Sequence, residues 1–383
     1  MRCFFGLLLL LFAQAGAAQQ IVDTIPFSLD ATLITFAGKI NDQDVLFAFD
    51  TGASMGVINS TDAQNTGVSS HGKIKINDSN KNKTAMKKVA IAKVEVGHFV
   101  VNNHDAVQFD MPHLFCNHLF LLGADVINKL NWQFDFEKKL VLVSKDSFAA
   151  GQQMQVMPVS WKKNRHFTNF RMEGMEVTDC LVDFGYSGVA EAEYDEPVFK
   201  KLLQNKKAAV TQSLVSNMGL GSTSVGQPQQ NFIADSMQLG SFCVSDIPVA
   251  VNEHGELKIG LGFFRLTCSK LIINSSSKKY YLQRLKNQSV PKEFDVKLLW
   301  QDGKILVAGK SLAGTSTASQ LEIMEEIKSV NGRAAASFAD ECAFITWRLK
   351  INDSAELLIE KMNGQQLVVK KACYINKQLA VPQ

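Results

Sequence analysis

From Pro26 onward the apolar residues fall in short alternating runs separated by Gly, Asn, Asp and Lys, the pattern of half-buried strands and turns. Residues 27–36 mix β-branched and apolar positions with polar ones, and Gly38, Asn41 and Asp42 supply a turn into the apolar run Val45-Leu46-Phe47-Ala48-Phe49. That predicts a hairpin. Ser60 and Asp62 mark the start of a short helix. Residues 73–76 and 85–91 alternate around a polar turn, predicting a second hairpin, and 93–101 form a strand pair that turns at Gly97. Residues 119–122 form an apolar strand before Gly123, and 132–143 predict two strands around Glu137-Lys138-Lys139 that close a lobe.

The same order of landmarks then recurs. Pro26 returns as Pro158, and Asp50-Thr51-Gly52 returns 133 positions on as Asp183-Phe184-Gly185. Val96-Gly97-His98-Phe99 returns as Leu239-Gly240-Ser241-Phe242, and Leu122-Gly123 as Leu261-Gly262. Phe134-Asp135 with Lys138-Lys139-Leu140 returns as Ile273-Asn274 with Lys278-Lys279-Tyr280. The offsets differ by loop-sized insertions only, so two homologous β lobes are expected, at residues 19–148 and 149–283.

At the centre of each lobe an apolar strand delivers a carboxylate onto a glycine turn. A buried ionised carboxylate needs donors, or a second acid with which to share a proton. Asp-Thr-Gly alone is short enough to arise by chance, but here Phe-Ala-Phe precedes it, Ala-Ser follows, and Leu121-Leu122-Gly123 lies downstream. With these flanks the chain resembles the aspartic proteases of the retropepsin and pepsin superfamily, tandem-lobed and bacterial in type. The resemblance implies a mainly β fold of two acid-protease-type barrels and an endopeptidase in which Asp50 and Asp183 activate a shared water. It makes Thr51, Gly52, Ala53, Ser54, Phe184, Gly185, Ser187 and Gly188 the supporting loop residues. Gly123 and Gly262 become the strand positions beneath the loops, and the hairpin around 77–84 becomes a flap over a peptide or protein substrate in the inter-lobe cleft. No metal, nucleotide or other cofactor is required.

Phe184 departs from the family pattern, which has Thr or Ser there to bond across to the partner loop. One neutral hydrogen bond is worth roughly 1 kcal/mol. Phe184→Thr is accordingly expected to keep or raise activity, provided the loop can repack. The competing class is a catalytically inactive, protease-like peptide-binding protein of the cell envelope. Two short motifs are decoys: Asp183-Phe184-Gly185 lacks the other kinase signatures, and the place of Gly260-Leu261-Gly262-Phe263 in the repeat assigns it to the second lobe.

Beyond the repeat, residues 284–292 are polar, contain Pro291 and read as a linker. Residues 293–375 resemble a circularly permuted PDZ domain, on the strength of Glu325-Glu326-Ile327-Lys328-Ser329-Val330-Asn331-Gly332. A strand is expected from Ile305 onward, with the last strands at 356–360 and 365–371. Phe294-Asp295-Val296 occupies the place of the carboxylate-binding loop, so a peptide ligand is implied, though Asp295 would repel a C-terminus.

Residues 1–18 combine Arg2, an apolar run and Ala15-Gly16-Ala17 in the manner of a cleaved secretory signal, so export to a periplasmic or extracellular location without a transmembrane anchor is expected. A net charge of +3 with 20% charged residues favours neither nucleic acid nor an acidic membrane surface. Beyond the signal, six cysteines allow fifteen pairings. His113, Cys116 and His118 lie close in sequence, and a packed cysteine flanked by surface histidines is expected there in preference to a metal.

Overall fold

The computed structural model describes residues 21–30, 32–77, 83–218, 223–253, 255–289, 292–313 and 316–371. The chain is mainly β, built as two β-barrel lobes and a small α+β unit. Asn41 and Asp42 take positive φ values of 47° and 66°, the two-residue turn whose twist suits a hairpin, and join Thr35–Ile40 to Gln43–Phe49. Gln43–Phe49 lies parallel to Leu119–Leu122, and Gly56–Ile58 runs antiparallel on the other side of that strand. The chain therefore leaves one strand, turns through the Asp50 loop and comes back to the same sheet. In the second half Met175–Asp183 lies parallel to Lys258–Gly260, with Ala190–Glu193 antiparallel beyond it.

The register corrects one detail of the repeat. Phe49 stands opposite Leu122, and Asp183 opposite Gly260. The counterpart of Gly123 is thus Gly260, each being the residue that precedes a short helix, Ala124–Ile127 or Leu261–Thr267. Gly262, expected in the strand beneath the second loop, sits in the first turn of that helix. The helix begins at once because Leu261, Phe263, Phe264 and Leu266 all find burial. Gly262 still packs under the loop, since a Cβ there would lie 2.6 Å from the Gly188 carbonyl oxygen.

Residues 132–143 do more than close the first lobe. Asn131–Asp135 pairs with Leu140–Ser144 on one side and with Cys268–Asn274 of the second lobe on the other. A sheet therefore runs through both lobes, from Gln155–Pro158 at one edge, through Lys279–Arg284 and this central pair, to Asp23–Ser28. Its central register, Trp132 opposite Ile273 and Phe134 opposite Leu271, is what a two-fold axis produces when residues 139 apart are equivalent. The hydrophobic core is likewise continuous from Phe27 to Leu282. Beside it the buried His166 bonds the Tyr280 hydroxyl and the Asn128 side chain at 2.5 Å each, and burial lowers its pKa to about 3, so it joins the lobes as a neutral ring.

The α+β unit holds strands Val296–Gln301, Lys304–Ser311, Glu326–Val330, Glu356–Lys361 and Gln366–Lys370 with helix Glu341–Ile351. They surround a separate core that includes Val296, Ile305, Leu321, Phe344 and Ile359. Two attachments tie this unit back. Lys304–Ser311 pairs with Thr211–Met218 of the second lobe. A disulfide joins Cys116 of the first lobe to Cys342 on the helix. Cys116 is therefore not the packed thiol that its sequence neighbours suggest, and among the described residues no group of three or more His, Cys, Asp or Glu side chains is placed to hold a metal. Cys180 and Cys268 are buried free thiols and Cys243 is an exposed one, while Cys373 and residues 1–18 lie outside the described residues. No described helix is long and apolar enough to cross a membrane.

A cross-link between residues 226 apart restricts the unfolded chain strongly, and removing one of this kind costs about 2–5 kcal/mol. Cys116→Ser with Cys342→Ser should lower the melting temperature. Reductant should bring the wild type down to the same value and leave the double variant unmoved.

Candidate active site

The Asp50 loop is anchored from below and from within. The Asp50 amide donates to the Leu122 carbonyl at 3.1 Å, and one carboxylate oxygen, Oδ1, accepts from the amides of Gly52 at 2.7 Å and Ala53 at 3.0 Å. In the second lobe Asp183 Oδ1 accepts from the Gly185 amide at 2.9 Å. Each loop is also braced on its following helix: Ala124 donates to the Ala53 carbonyl at 2.8 Å, Leu261 to that of Tyr186 at 2.8 Å, and Gly262 to that of Gly188 at 3.0 Å.

The two loops meet face to face. A Cβ added to Gly52 would stand 2.4 Å from Asp183 Oδ1, and one added to Gly185 would stand 2.4 Å from Asp50 Oδ2. Each glycine is thus the surface on which the other lobe's carboxyl group rests, and any side chain would take the carboxyl's place. Glycine is required here for close approach and not for backbone freedom. The reciprocity brings Asp50 and Asp183 within hydrogen-bonding reach of one another. Asp50 is 8% exposed and Asp183 half-buried, while Ser54 and Ser187 are exposed at the mouth.

Thr51 and Phe184 occupy equivalent positions and do different things. The buried Thr51 hydroxyl donates to the Val182 carbonyl at 2.5 Å and accepts from the Phe184 amide at 3.2 Å, so one side chain fastens both directions of the crossing. Phe184 has no hydroxyl to return. Its ring is fully buried, stacks on Phe264 at 4.7 Å and meets Phe49 edge-on at 5.6 Å. Aromatic packing beneath the dyad has taken the place of the missing hydrogen bond, and this reverses the expectation for Phe184→Thr.

Residues 36–129 match the family model described as gag-polyprotein putative aspartyl protease. That segment is similar to an aspartyl protease. The matched segment carries Asp50-Thr51-Gly52, the first hairpin over the cleft and Leu121-Leu122-Gly123. No curated protein matches the chain.

Burial raises the pKa of both acids. For Asp50 the Ala53 and Gly52 amides oppose the rise. Asp183 has fewer donors and is pushed up to about 8 by burial and by the charge of Asp50, with the Lys258 ammonium pulling the other way. Two like charges at this separation cannot both persist, so one proton is shared, and the donor count places it preferentially on Asp183. Lys258 is buried, 3.6 Å from Glu191 and 4.5 Å from the centre of the Tyr186 ring. Sequence reasoning missed this trio. The available signal was a lysine in the apolar run Leu257-Lys258-Ile259, at the start of the strand that runs beside the second Asp loop.

A cavity of about 1290 Å³ opens over the dyad. The first lobe contributes Ile74 and Ile76, from the hairpin of Ser69–Asn77 and Lys83–Val96, whose tip at 78–82 lies outside the described residues. The second lobe contributes Ser187 and Lys258. The α+β unit contributes Phe294, Leu298 and Arg348, so it forms a third wall of the cleft.

Truncating a buried phenylalanine typically costs about 3–5 kcal/mol, and Phe184→Thr should approach that range because the cavity left is ringed by other aromatics. Urea denaturation of the variant against the wild type reads the loss directly, with Phe184→Leu expected to lose less. Stability should also depend on pH through the dyad. Asp183 binds its proton more tightly folded than unfolded, so its contribution is complete below about pH 4 and is lost as pH rises through about 8. Asp183→Asn should therefore gain on the wild type as pH rises across this window. Parallel stability curves for the two proteins would contradict the assignment.

Proposed function

We propose that this chain is an aspartic-type endopeptidase that hydrolyses peptide bonds with the Asp50–Asp183 pair. The observation that carries the proposal is the reciprocal seating of each carboxyl on the other lobe's glycine. A water between the acids gives one proton to ionised Asp50 while its oxygen attacks the peptide carbonyl carbon. Asp183 passes its proton to the carbonyl oxygen, forming a gem-diol. Collapse re-forms the carbonyl, breaks the carbon–nitrogen bond and protonates the leaving amine, returning one proton to the pair. The hairpin bearing Ile74 and Ile76 covers the bound peptide as a flap. Buried Thr51 and the Phe184 ring hold the loops in register, which argues for a working site over a decayed, merely binding one.

We read the α+β unit as PDZ-like in fold and used as a cleft wall. Asp295 is buried and its carboxylate accepts from the Ser316 hydroxyl, which supports a structural role at the position where a PDZ domain would receive a C-terminus. The signal-like residues 1–18 and the Cys116–Cys342 bond support export to an oxidising, periplasmic or extracellular compartment.

Cleavage of a diverse peptide mixture by the full chain should follow a bell in pH whose alkaline limb lies near 8, the value at which Asp183 gives up its proton. Asp50→Asn and Asp183→Asn should each abolish turnover with the fold retained. Peptide affinity without turnover would favour the binding protein. Turnover that survives Asp183→Asn and not Asp50→Asn would place the working dyad across two copies of the first lobe.

A further inference from the structure

Two cations of the α+β unit line the cleft without an ion-pair partner in contact among the described residues. Lys297 lies on strand Val296–Gln301 between Val296 and Leu298, which are 6% and 4% exposed and belong to that unit's core. Lys297 itself is exposed and lines the cavity that also holds Asp50 and Asp183. Arg348, on helix Glu341–Ile351, lines the same cavity and donates to the Leu298 carbonyl at 2.9 Å, which fixes its guanidinium beside the Lys297 strand. Neither forms an ion pair within 4 Å among the described residues. Of the other cations that line the cavity, Lys258 is committed to Glu191, Arg165 to Glu256 at 3.2 Å and Lys371 to the Asn352 carbonyl, while Lys75, Lys163 and Lys292 line it from other segments.

The electrostatics of the two are strained in the same sense. The walls of the cleft disfavour both charges, although Lys297 is exposed and Arg348 half-buried, and the Arg348 charge disfavours that of Lys297 further. Glu293 and Glu191 offset part of this for Lys297, and Glu341 for Arg348, all at longer range. Like charges near one another on a cleft wall and without an ion-pair partner are unfavourable in the empty protein and become favourable when an anion enters.

We propose that Lys297 and Arg348 form a cationic subsite of the cleft that receives a carboxylate of the peptide, from an acidic side chain or from its C-terminus. The proposal rests on the endopeptidase reading for its substrate and on the α+β unit's place in the cleft wall for its location. The flat guanidinium of Arg348 suits a bidentate carboxylate, and Lys297 adds a point charge. The unit thus acts as a specificity wall for the dyad it covers.

The test uses the full chain and a set of dye-labelled alanine-rich decapeptides with a central Phe-Leu. Glu or Gln is placed at each other position in turn, and every peptide is made with a free and an amidated C-terminus. Binding is measured by anisotropy on the Asp183→Asn protein, and kcat/KM on the wild type. At one position, or at the terminus, the carboxylate should improve affinity at least about tenfold over its amide. Lys297→Met should remove that preference and leave amide peptides unchanged, Lys297→Arg should keep it, and Lys297→Glu should transfer it to peptides carrying Lys. Arg348→Met should weaken it. Because Arg348 also bonds the Leu298 carbonyl, the Lys297 series decides the matter if that variant fails to fold. Equal binding of all carboxylate and amide pairs overturns the subsite, as does a preference that survives Lys297→Met and Lys297→Glu. Carboxylate-selective binding without turnover of any peptide upholds the subsite and removes the hydrolase reading. Turnover without selectivity does the opposite.

Discussion

Two carboxyl groups held against each other at the floor of the cleft are the constraint on which the rest of the chain depends. Their mutual repulsion falls off with separation, so a displacement of an ångström would weaken the sharing of one proton. The lobes therefore cannot be loosely joined. The shared sheet across Asn131–Asp135 and Cys268–Asn274, the single hydrophobic core and the Thr51 bridge to Val182 and Phe184 all fix the one relation that matters, the distance between two loops from different lobes. The aromatic layer under the loops serves the same end. Phe49, Phe134, Phe184 and Phe264 touch in sequence, so the two Asp-bearing strands rest on one rigid platform.

What the sequence makes legible is what local chemistry decides. Alternation located the hairpins, Asn41 and Asp42 announced their turn by tolerating positive φ, and the recurrence of Asp-x-Gly marked the two loops. Features set by distance in space were hidden. Gly262 was placed in a strand because Leu261-Gly262 copies Leu122-Gly123, yet strand register makes Gly260 the counterpart. Cys116 looked like a lone packed thiol because its partner lies 226 residues away. Phe184 looked like a deficit because a lost hydroxyl is visible in a sequence, whereas the three rings that receive its replacement come from separate strands and a helix. Lys258 and Glu191 are unremarkable in sequence and become a buried charge pair only when their strands are laid side by side.

The repeat is also unequal in ways that share a direction. The first lobe keeps the threonine, gives its Asp two loop amides and leaves its hairpin over the cleft. The second lobe has Phe184, gives its Asp one amide, and commits the Thr211–Met218 hairpin strand to the α+β unit. A symmetric pair of acids would share its proton evenly. Here the two loop amides favour the charge on Asp50 and the proton on Asp183, with Lys258 limiting how far the Asp183 pKa can climb. With a strand of the second hairpin used for attachment, that side of the cleft is built largely from another element. The α+β unit fills that side, with the Cys116–Cys342 bond tying it to the first lobe and the strand pairing tying it to the second. Loss of two-fold symmetry in the hairpins and loss of it in the dyad are thus parts of one arrangement: the lobe that holds the proton is the lobe that holds the wall.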